Sequence, residues 1–307
     1  MRRDPVERVI RTAGLTAGLS MGFALCLCAA ASAQDGATLL SDHDWRAPDA
    51  PLLGGLSGLE VDADGTGLLA LSDRATLINA VLTRDAAGAI AGVTFTGVTP
   101  LTGADGTRPP QNGAMDSEGL ARGADGAIWI AYEGDHRVAS HAQDGREIRR
   151  LPPPPDAANL PANRSFEALA IDAQGQLYTI SEGTVQGDVT PLFRFADGQW
   201  QTLALIARSD GFQPVGLDID DRGRLYLLER RFSVLGGFAT RLTRHALTDR
   251  GLGPGRVLLE TAPGTHGNLE GVALWRDGAG RLIATLVSDD NFMAFLHMEL
   301  VEYILPD

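Results

Sequence analysis

Lysine is absent from all 307 residues, so each of the 26 basic residues is an arginine. Schiff-base and lysine-base chemistry are thereby excluded, while bidentate recognition of carboxylate or phosphate stays open. Cysteine is almost absent too. Cys26 and Cys28 lie in the N-terminal apolar stretch and none follows Ala33, so a chain processed there has no disulfide, no thiol nucleophile and no thiolate metal ligand. Also missing are a G-x-S-x-G elbow, an H-E-x-x-H pair and a P-loop. Beyond residue 33 no apolar pattern of period 3.6 runs longer than two or three turns, which argues against a helical fold. Positive charge is scarce: past Ala33 there are 22 basic and 37 acidic residues, a net charge of −15. That balance speaks against a nucleic-acid partner. An anionic substrate would need local arginine or a bound cation to overcome the field.

Residues 1–33 read as a signal peptide. Arg2, Arg3, Arg8 and Arg11 give a basic start, the stretch from Leu15 to Ala31 is uncharged and mostly apolar, and Ala31-Ser32-Ala33 is an A-x-A cleavage signature. Seventeen uncharged residues fall short of the ~20 that span a bilayer, so a cleaved leader is preferred over a stable membrane anchor. Arg2-Arg3 leaves Sec and twin-arginine export both open. The expected mature protein is a single domain, 34–307, periplasmic or secreted.

What is present is a repeat. MDSEGLARGADGAIWIAYEG, Met115 to Gly134, reads as a β-hairpin with an acid before the first strand, a D-G turn, and a returning apolar strand that ends on Glu133. Glu118 and Glu133 should then be neighbours at one end of an antiparallel pair. Versions recur at Gly55 to Arg74, Ser165 to Gly183, Pro214 to Arg230 and Asn268 to Asn291. Aligned on the small residue before each Leu or Val, they place Gly58, Gly119, Ala168, Gly216 and Gly271 at spacings of 61, 49, 48 and 55. Strand-rich units of about this length predict an all-β propeller of five or six blades. The last repeat supplies three strands, so the run from Thr38 to Trp45 is expected to close its blade as the fourth. The proline-rich stretch 151–161 reads as a connection between blades.

In a propeller the first strands point the same way around one channel, so the acids at equivalent hairpin ends converge. These are Asp73, Asp116, Glu118, Glu133, Glu167, Glu182, Glu229, Glu270, Asp289 and Asp290. Gathered carboxylates repel one another unless a cation neutralises them. Oxygen ligation from Glu118, Glu167, Glu270, Asn268 and Asp290, with Asn163 and Asn291 nearby, suits calcium or another hard divalent ion. The plainer alternative is a solvated acidic rim. Arg74, Arg164 and Arg230 stand beside these acids, either pairing with them or clamping an anionic group. His136 and His266 are candidate proton carriers, or ordinary loop histidines. Asp218, Asp220, Gly223 and Glu229 imitate an EF-hand loop, but Arg222 stands where a ligand oxygen is required; the stretch is expected to be a hairpin turn, with Asp218 inert towards metal.

GGLSGLE at 54–60, LSDR at 71–74, DSEGLA at 116–121, RSFEALA at 164–170, LLER at 227–230, NLEGVAL at 268–274 and SDDNF at 288–292, in that order, resemble the bacterial secreted family called esterase-like activity of phytase. Ala168 replaces a glycine of the pattern, and Val215 leaves the fourth repeat without its first acid. The resemblance implies an exported β-propeller that hydrolyses phosphate or carboxylic esters of small molecules with a divalent metal at the channel mouth, Glu118, Glu270, Arg74 and Arg230 being its catalytic candidates. Two other readings compete. One is a lactonase-like propeller whose single metal is held by a set such as Glu118, Glu270, Asn268 and Asp290; the other is a non-enzymatic periplasmic binding or scaffold propeller. The sequence leaves the oligomeric state open.

Overall fold

The computed structural model describes residues 36–46, 54–108, 116–133, 136–155, 166–184, 187–290 and 298–307. The leader, the cleavage point at Gln34, most of the proline-rich connection, and Asn163, Arg164 and Asn291 lie outside them. Every regular element among the described residues is a strand.

The chain opens on β1 (Thr38–Asp44) and then builds five antiparallel sheets in succession. The first is β2 (Leu56–Val61), β3 (Gly67–Ser72), β4 (Thr76–Arg84) and β5 (Ile90–Pro100). Next come β6 (Ser117–Arg122), β7 (Ile128–Tyr132), β8 (Arg137–His141) and β9 (Glu147–Arg150). The third comprises β10 (Phe166–Ile171), β11 (Leu177–Ser181), β12 (Val189–Ala196) and β13 (Gln199–Ala207). In the fourth, β14 (Gln213–Ile219), β15 (Arg224–Ser233) and β16 (Gly237–Thr248) are followed by the short β17 (Gly251–Leu252) and by β18 (Arg256–Glu260), both paired to β16. The fifth is β19 (Asn268–Arg276), β20 (Leu282–Asp289) and β21 (Glu299–Leu305), and its fourth strand is β1, paired antiparallel to β21.

The blade number is five, and the arrangement is a β-propeller. Each first strand packs on the next, β2 on β6, β6 on β10, β10 on β14 and β14 on β19, and β19 returns to β2. Five apolar clusters fill the five blade interfaces: Leu71 and Leu77 meet Ile130 and Tyr132, Ala131 and Val138 meet Leu169 and Phe193, Ile180 and Leu192 meet Leu217 and Leu227, Tyr226 and Leu242 meet Leu286 and Val301, and Trp275 and Ile283 meet Leu59 and Ile78. Because a middle strand is covered on both faces, it reads as a continuous apolar run rather than an alternation. β20, LIATLVSD, is buried at every position, whereas the outermost β5 alternates with solvent.

The recurrent small residue has a steric cause. A Cβ on Gly119 would lie 2.7 Å from the Leu169 nitrogen, one on Gly216 2.7 Å from the Glu270 carbonyl, and one on Gly271 2.8 Å from Leu59 Cδ2. Five first strands around one axis touch each other there, and the lumen that remains between them is about 10 Å³.

The EF-hand imitation is a hairpin turn: Asp220 Oδ1 accepts from the backbone N–H groups of Arg222 and Arg224, and Gly223 supplies the φ of +71° the turn needs. Asp218 itself lies outside the turn. It belongs to β14, and its Oδ2 accepts from the Leu274 N–H of the adjacent blade at 2.6 Å.

Candidate functional site in the channel mouth

One irregularity, repeated five times, builds the site. Each first strand slips register against the second at the same place: between Leu56 and Gly58, Ser117 and Gly119, Phe166 and Ala168, Pro214 and Gly216, and Leu269 and Gly271. The unpaired residues of these β-bulges are Ser57, Glu118, Glu167, Val215 and Glu270. A bulge bends its strand and re-aims the extra side chain, which puts three glutamates from three blades at one end of the channel.

A second set comes from the facing strand. Ser72, Tyr132, Ser181 and Glu229 pair with the residues just before the bulges of the first four blades, and the next positions are Asp73, Glu133, Glu182 and Arg230. In the fifth blade Ser288 pairs with Leu269 and Asp289 follows. Asp73, Glu118, Glu133, Glu167, Glu182, Glu270, Asp289 and Arg230, with Gly55, wall a cavity of about 220 Å³. Seven carboxyl groups and one guanidinium therefore share one space.

Arg230 is held inside it. Its Nη1 lies 2.7 Å from Glu270 Oε1 and donates to Asn268 Oδ1 at 2.7 Å, while Asn268 Nδ2 donates to the same Glu270 oxygen. The Arg230 Nε–H is buried and has no hydrogen-bond partner among the described residues.

Burial and like charge act on the carboxyls together. Glu118 is pushed well above the ordinary carboxylate range, first by burial and then by Glu167, Glu270 and Asp116. Glu167 is raised in the same way, by burial and by Glu182, Glu133 and Glu270, against the opposing charge of Arg230. Burial carries Glu270 to about 7 despite Arg230, with Asp289 adding to the rise. Glu133 reaches about 7 through burial and the charge of Asp116, and Asp73 reaches about 6 through burial and Asp289. Carboxyl oxygens of Asp116, Glu118 and Glu133 all lie within 4.8 Å of one another. An all-oxygen donor set of this kind, whose members resist ionising together, can hold a divalent metal.

The residues that the sequence nominates do not all reach the cavity. Glu118, Glu167, Glu270 and Arg230 line the cavity, and Asn268 stands immediately behind it. Asp290 is not in the wall; its Oδ1 accepts from the Gly55 N–H at 3.0 Å. Arg74 is exposed and also outside the wall, although its charge draws Asp73 down. Glu229, grouped with the convergent acids by sequence, is one position short of them and faces Arg241 of its own blade and Arg208 at the end of the third. His266 meets Tyr303, Asp42 and Glu299 and does not line the cavity. Asp116, Glu133, Glu182 and Asp289, which the sequence counts among the convergent acids without giving them a ligand or catalytic role, also stand at the mouth. Their signal was available in the register: each sits beside the bulge, or one residue past its cross-strand partner.

Fold and site together define a five-bladed β-propeller with an acidic channel mouth. Residues 51–292 match the family described as Phytase-like, esterase-like activity of phytase. The chain belongs to that family. No curated protein matches it. Among solved structures it is similar to the PQQ-bound aldose sugar dehydrogenase of Streptomyces coelicolor, at 15% identity over 89% of this chain and 99% of that one, with a TM-score of 0.47. It is also similar to a luciferin-regenerating enzyme, at 12% identity over 82% and 92% with a TM-score of 0.48, and to a gluconolactonase of Xanthomonas campestris, at 14% over 82% and 86% with a TM-score of 0.44.

Proposed function

We propose that this protein is an exported ester hydrolase acting on phosphate or carboxylic esters of small molecules, with a divalent cation, calcium by preference, at the channel mouth. The observation that carries the reading is the convergence of seven carboxyl groups and one arginine on a single cavity of about 220 Å³. Family membership agrees with it, and so does the chemistry of the donor set. Glu118, with Asp116 and Glu133, would hold the ion. Once bound, it would supply Lewis acidity and lower the pKa of a water molecule in the cavity.

The chain's own residues do the rest. Arg230, the single cation of the wall among the described residues, offsets the charge of an anionic substrate, and its Nε–H, which has no partner among them, is a donor for a phosphoryl or acyl oxygen. Glu167, raised above the ordinary carboxylate range by burial and by the neighbouring acids, is the wall's proton donor to the leaving oxygen in this reading. Asn268 orients both Arg230 and Glu270. The packed inner strands make the floor of the cavity, so substrate enters from the mouth.

The test is hydrolysis of nitrophenyl phosphate, nitrophenyl acetate, phytate and a sugar lactone by chelator-treated protein, with and without added calcium. Calcium-dependent cleavage of an ester is expected. Cleavage of the lactone alone would transfer the site to lactonase chemistry, and inactivity on all four with every divalent ion supplied would leave a binding propeller. Export is tested by the N-terminus of the protein recovered outside the cytoplasm, which should be Gln34.

A further inference from the structure

A second cluster, separate from the channel, lies where β1 joins β21. Asp42 is on β1, Glu299 begins β21, and His266 stands two residues before β19. The His266 side chain is only 2% exposed, yet its Nδ1 has no hydrogen-bond partner among the described residues. That nitrogen lies 3.6 Å from Asp42 Oδ2 and 3.9 Å from Glu299 Oε2, too far for hydrogen bonds. One atom from each of the three residues falls within 4.8 Å of the others.

We propose that Asp42, His266 and Glu299 form a binding site for a divalent transition metal, zinc being the type, which fastens the N-terminal strand to the fifth blade. Metal–ligand distances of roughly 2.0–2.2 Å place neighbouring ligand atoms about 3.3–3.6 Å apart in a tetrahedral site, close to the observed separations. One imidazole with two carboxylates suits zinc better than calcium, which takes oxygen ligands. The surroundings already orient the donors. His266 Nε2 and the Tyr303 hydroxyl are 2.7 Å apart; with Nε2 donating to that hydroxyl, the Nδ1 lone pair is left for the metal, the outer-shell arrangement that ligating histidines use. Glu299 Oε2 accepts from the Gly267 N–H at 3.0 Å, which aims the carboxylate towards the histidine. Asp42 is half-exposed and leaves a solvent-side position for water. The ion would tie together three segments far apart in sequence, two of them flanking the seam at which the chain's first strand completes its last blade.

The experiment is zinc titration of the chelator-stripped protein by calorimetry, with thermal melts, in the parent and in Asp42→Asn, His266→Gln and Glu118→Gln. Removing a ligand should weaken zinc binding at this seam by more than ~10-fold, since losing even an outer-shell partner costs that much. Zinc should raise the melting temperature of the parent and of Glu118→Gln, and should fail to raise that of Asp42→Asn. Asp42 is a strand-surface side chain, so its variant keeps the test open if His266→Gln does not fold. Undiminished zinc affinity in Asp42→Asn would overturn the proposal. So would zinc binding that disappears in Glu118→Gln, which places the ion in the channel, or the absence of zinc binding in the parent.

Discussion

Single residues carry the charge of the channel, and their conservative replacements separate charge from shape. Glu118→Gln keeps the side-chain volume and removes one of several repelling carboxylates. In the metal-free protein it should therefore be neutral or stabilising, while calcium affinity at the channel mouth falls by more than ~10-fold and ester hydrolysis falls with it. Calorimetry, melts and initial rates on one preparation check all three. Shape is tested at the axis. Gly119→Ala puts a methyl 2.7 Å from the Leu169 nitrogen and 2.8 Å from the Ala168 carbonyl carbon, so two blades must part, at about 1–3 kcal/mol by urea denaturation. At Gly97, on the outer strand β5, an added Cβ meets nothing within 4 Å, and Gly97→Ala should stay within ~0.5 kcal/mol.

Between elements, a buried ion pair adds to the apolar contacts that join the first blade to the last. Arg84 of β4 makes two parallel bonds to Glu302 of β21, Nη1 to Oε2 at 2.7 Å and Nη2 to Oε1 at 2.9 Å. The Glu302 side chain is fully buried, Thr285 Oγ1 also donates to it, and the Arg84 guanidinium lies 4.4 Å over the Trp275 ring. Arg84→Met strands that carboxylate without its partner and is expected to cost about 3–5 kcal/mol. Arg84→Lys should recover little, because a single ammonium cannot present two parallel donors. Arg84→Met combined with Glu302→Leu should recover most of the loss. Denaturant midpoints of these four proteins and of Glu302→Leu decide this, and near-additive losses in the double variant would count against the pair.

At the scale of the whole molecule the channel has a second charged end. Glu60 of β2 accepts from the Arg122 N–H of the next blade, and Asp218 of β14 accepts from Leu274, so each carboxylate satisfies a free edge of an inner strand. Burial, followed by the charge of Asp218, raises Glu60 to about 8, and burial raises Asp218 to about 7. A carboxyl raised on folding binds more protons in the native state than in the unfolded chain, so stability falls as pH rises. The loss starts near the ordinary carboxylate pKa and is complete above about 8. Glu60→Gln retains the acceptor and discards the charge. Near pH 4 it should match the parent to within ~0.5 kcal/mol; at pH 9 it should be more stable by over ~1 kcal/mol, since one pKa unit is worth about 1.4. Melts across that range measure the crossover. The cation proposed for the mouth would act on the same molecule from the opposite end: calcium bound there at a hundred times its dissociation constant should contribute about 2.7 kcal/mol, which chelation should remove as a fall in melting temperature.

Much of this was legible in the sequence. Five small residues at near-regular spacing marked five first strands, because only a narrow axis demands glycine or alanine at that point, and the acids beside Gly119, Ala168 and Gly271 marked the mouth. Hairpin logic alone predicts that Glu118 and Glu133 are neighbours, since strand pairing is local. What hairpin logic could not supply is the bulge. A slip of one residue decides whether Glu229 or Arg230 faces the cavity, and that slip depends on five strands meeting around one axis. The same limit applies to Asp218, which resembled a turn residue until the adjoining blade placed Leu274 against it, and to His266, four residues from Glu270 in the chain but facing Asp42 and Glu299. Sequence by itself determined the strands, the repeat and the stock of carboxylates, all of which follow from local pattern and composition. Tertiary structure decided which carboxylates share a space, because closing the ring brings together residues from different blades whose separation in the chain says nothing of their separation in the fold.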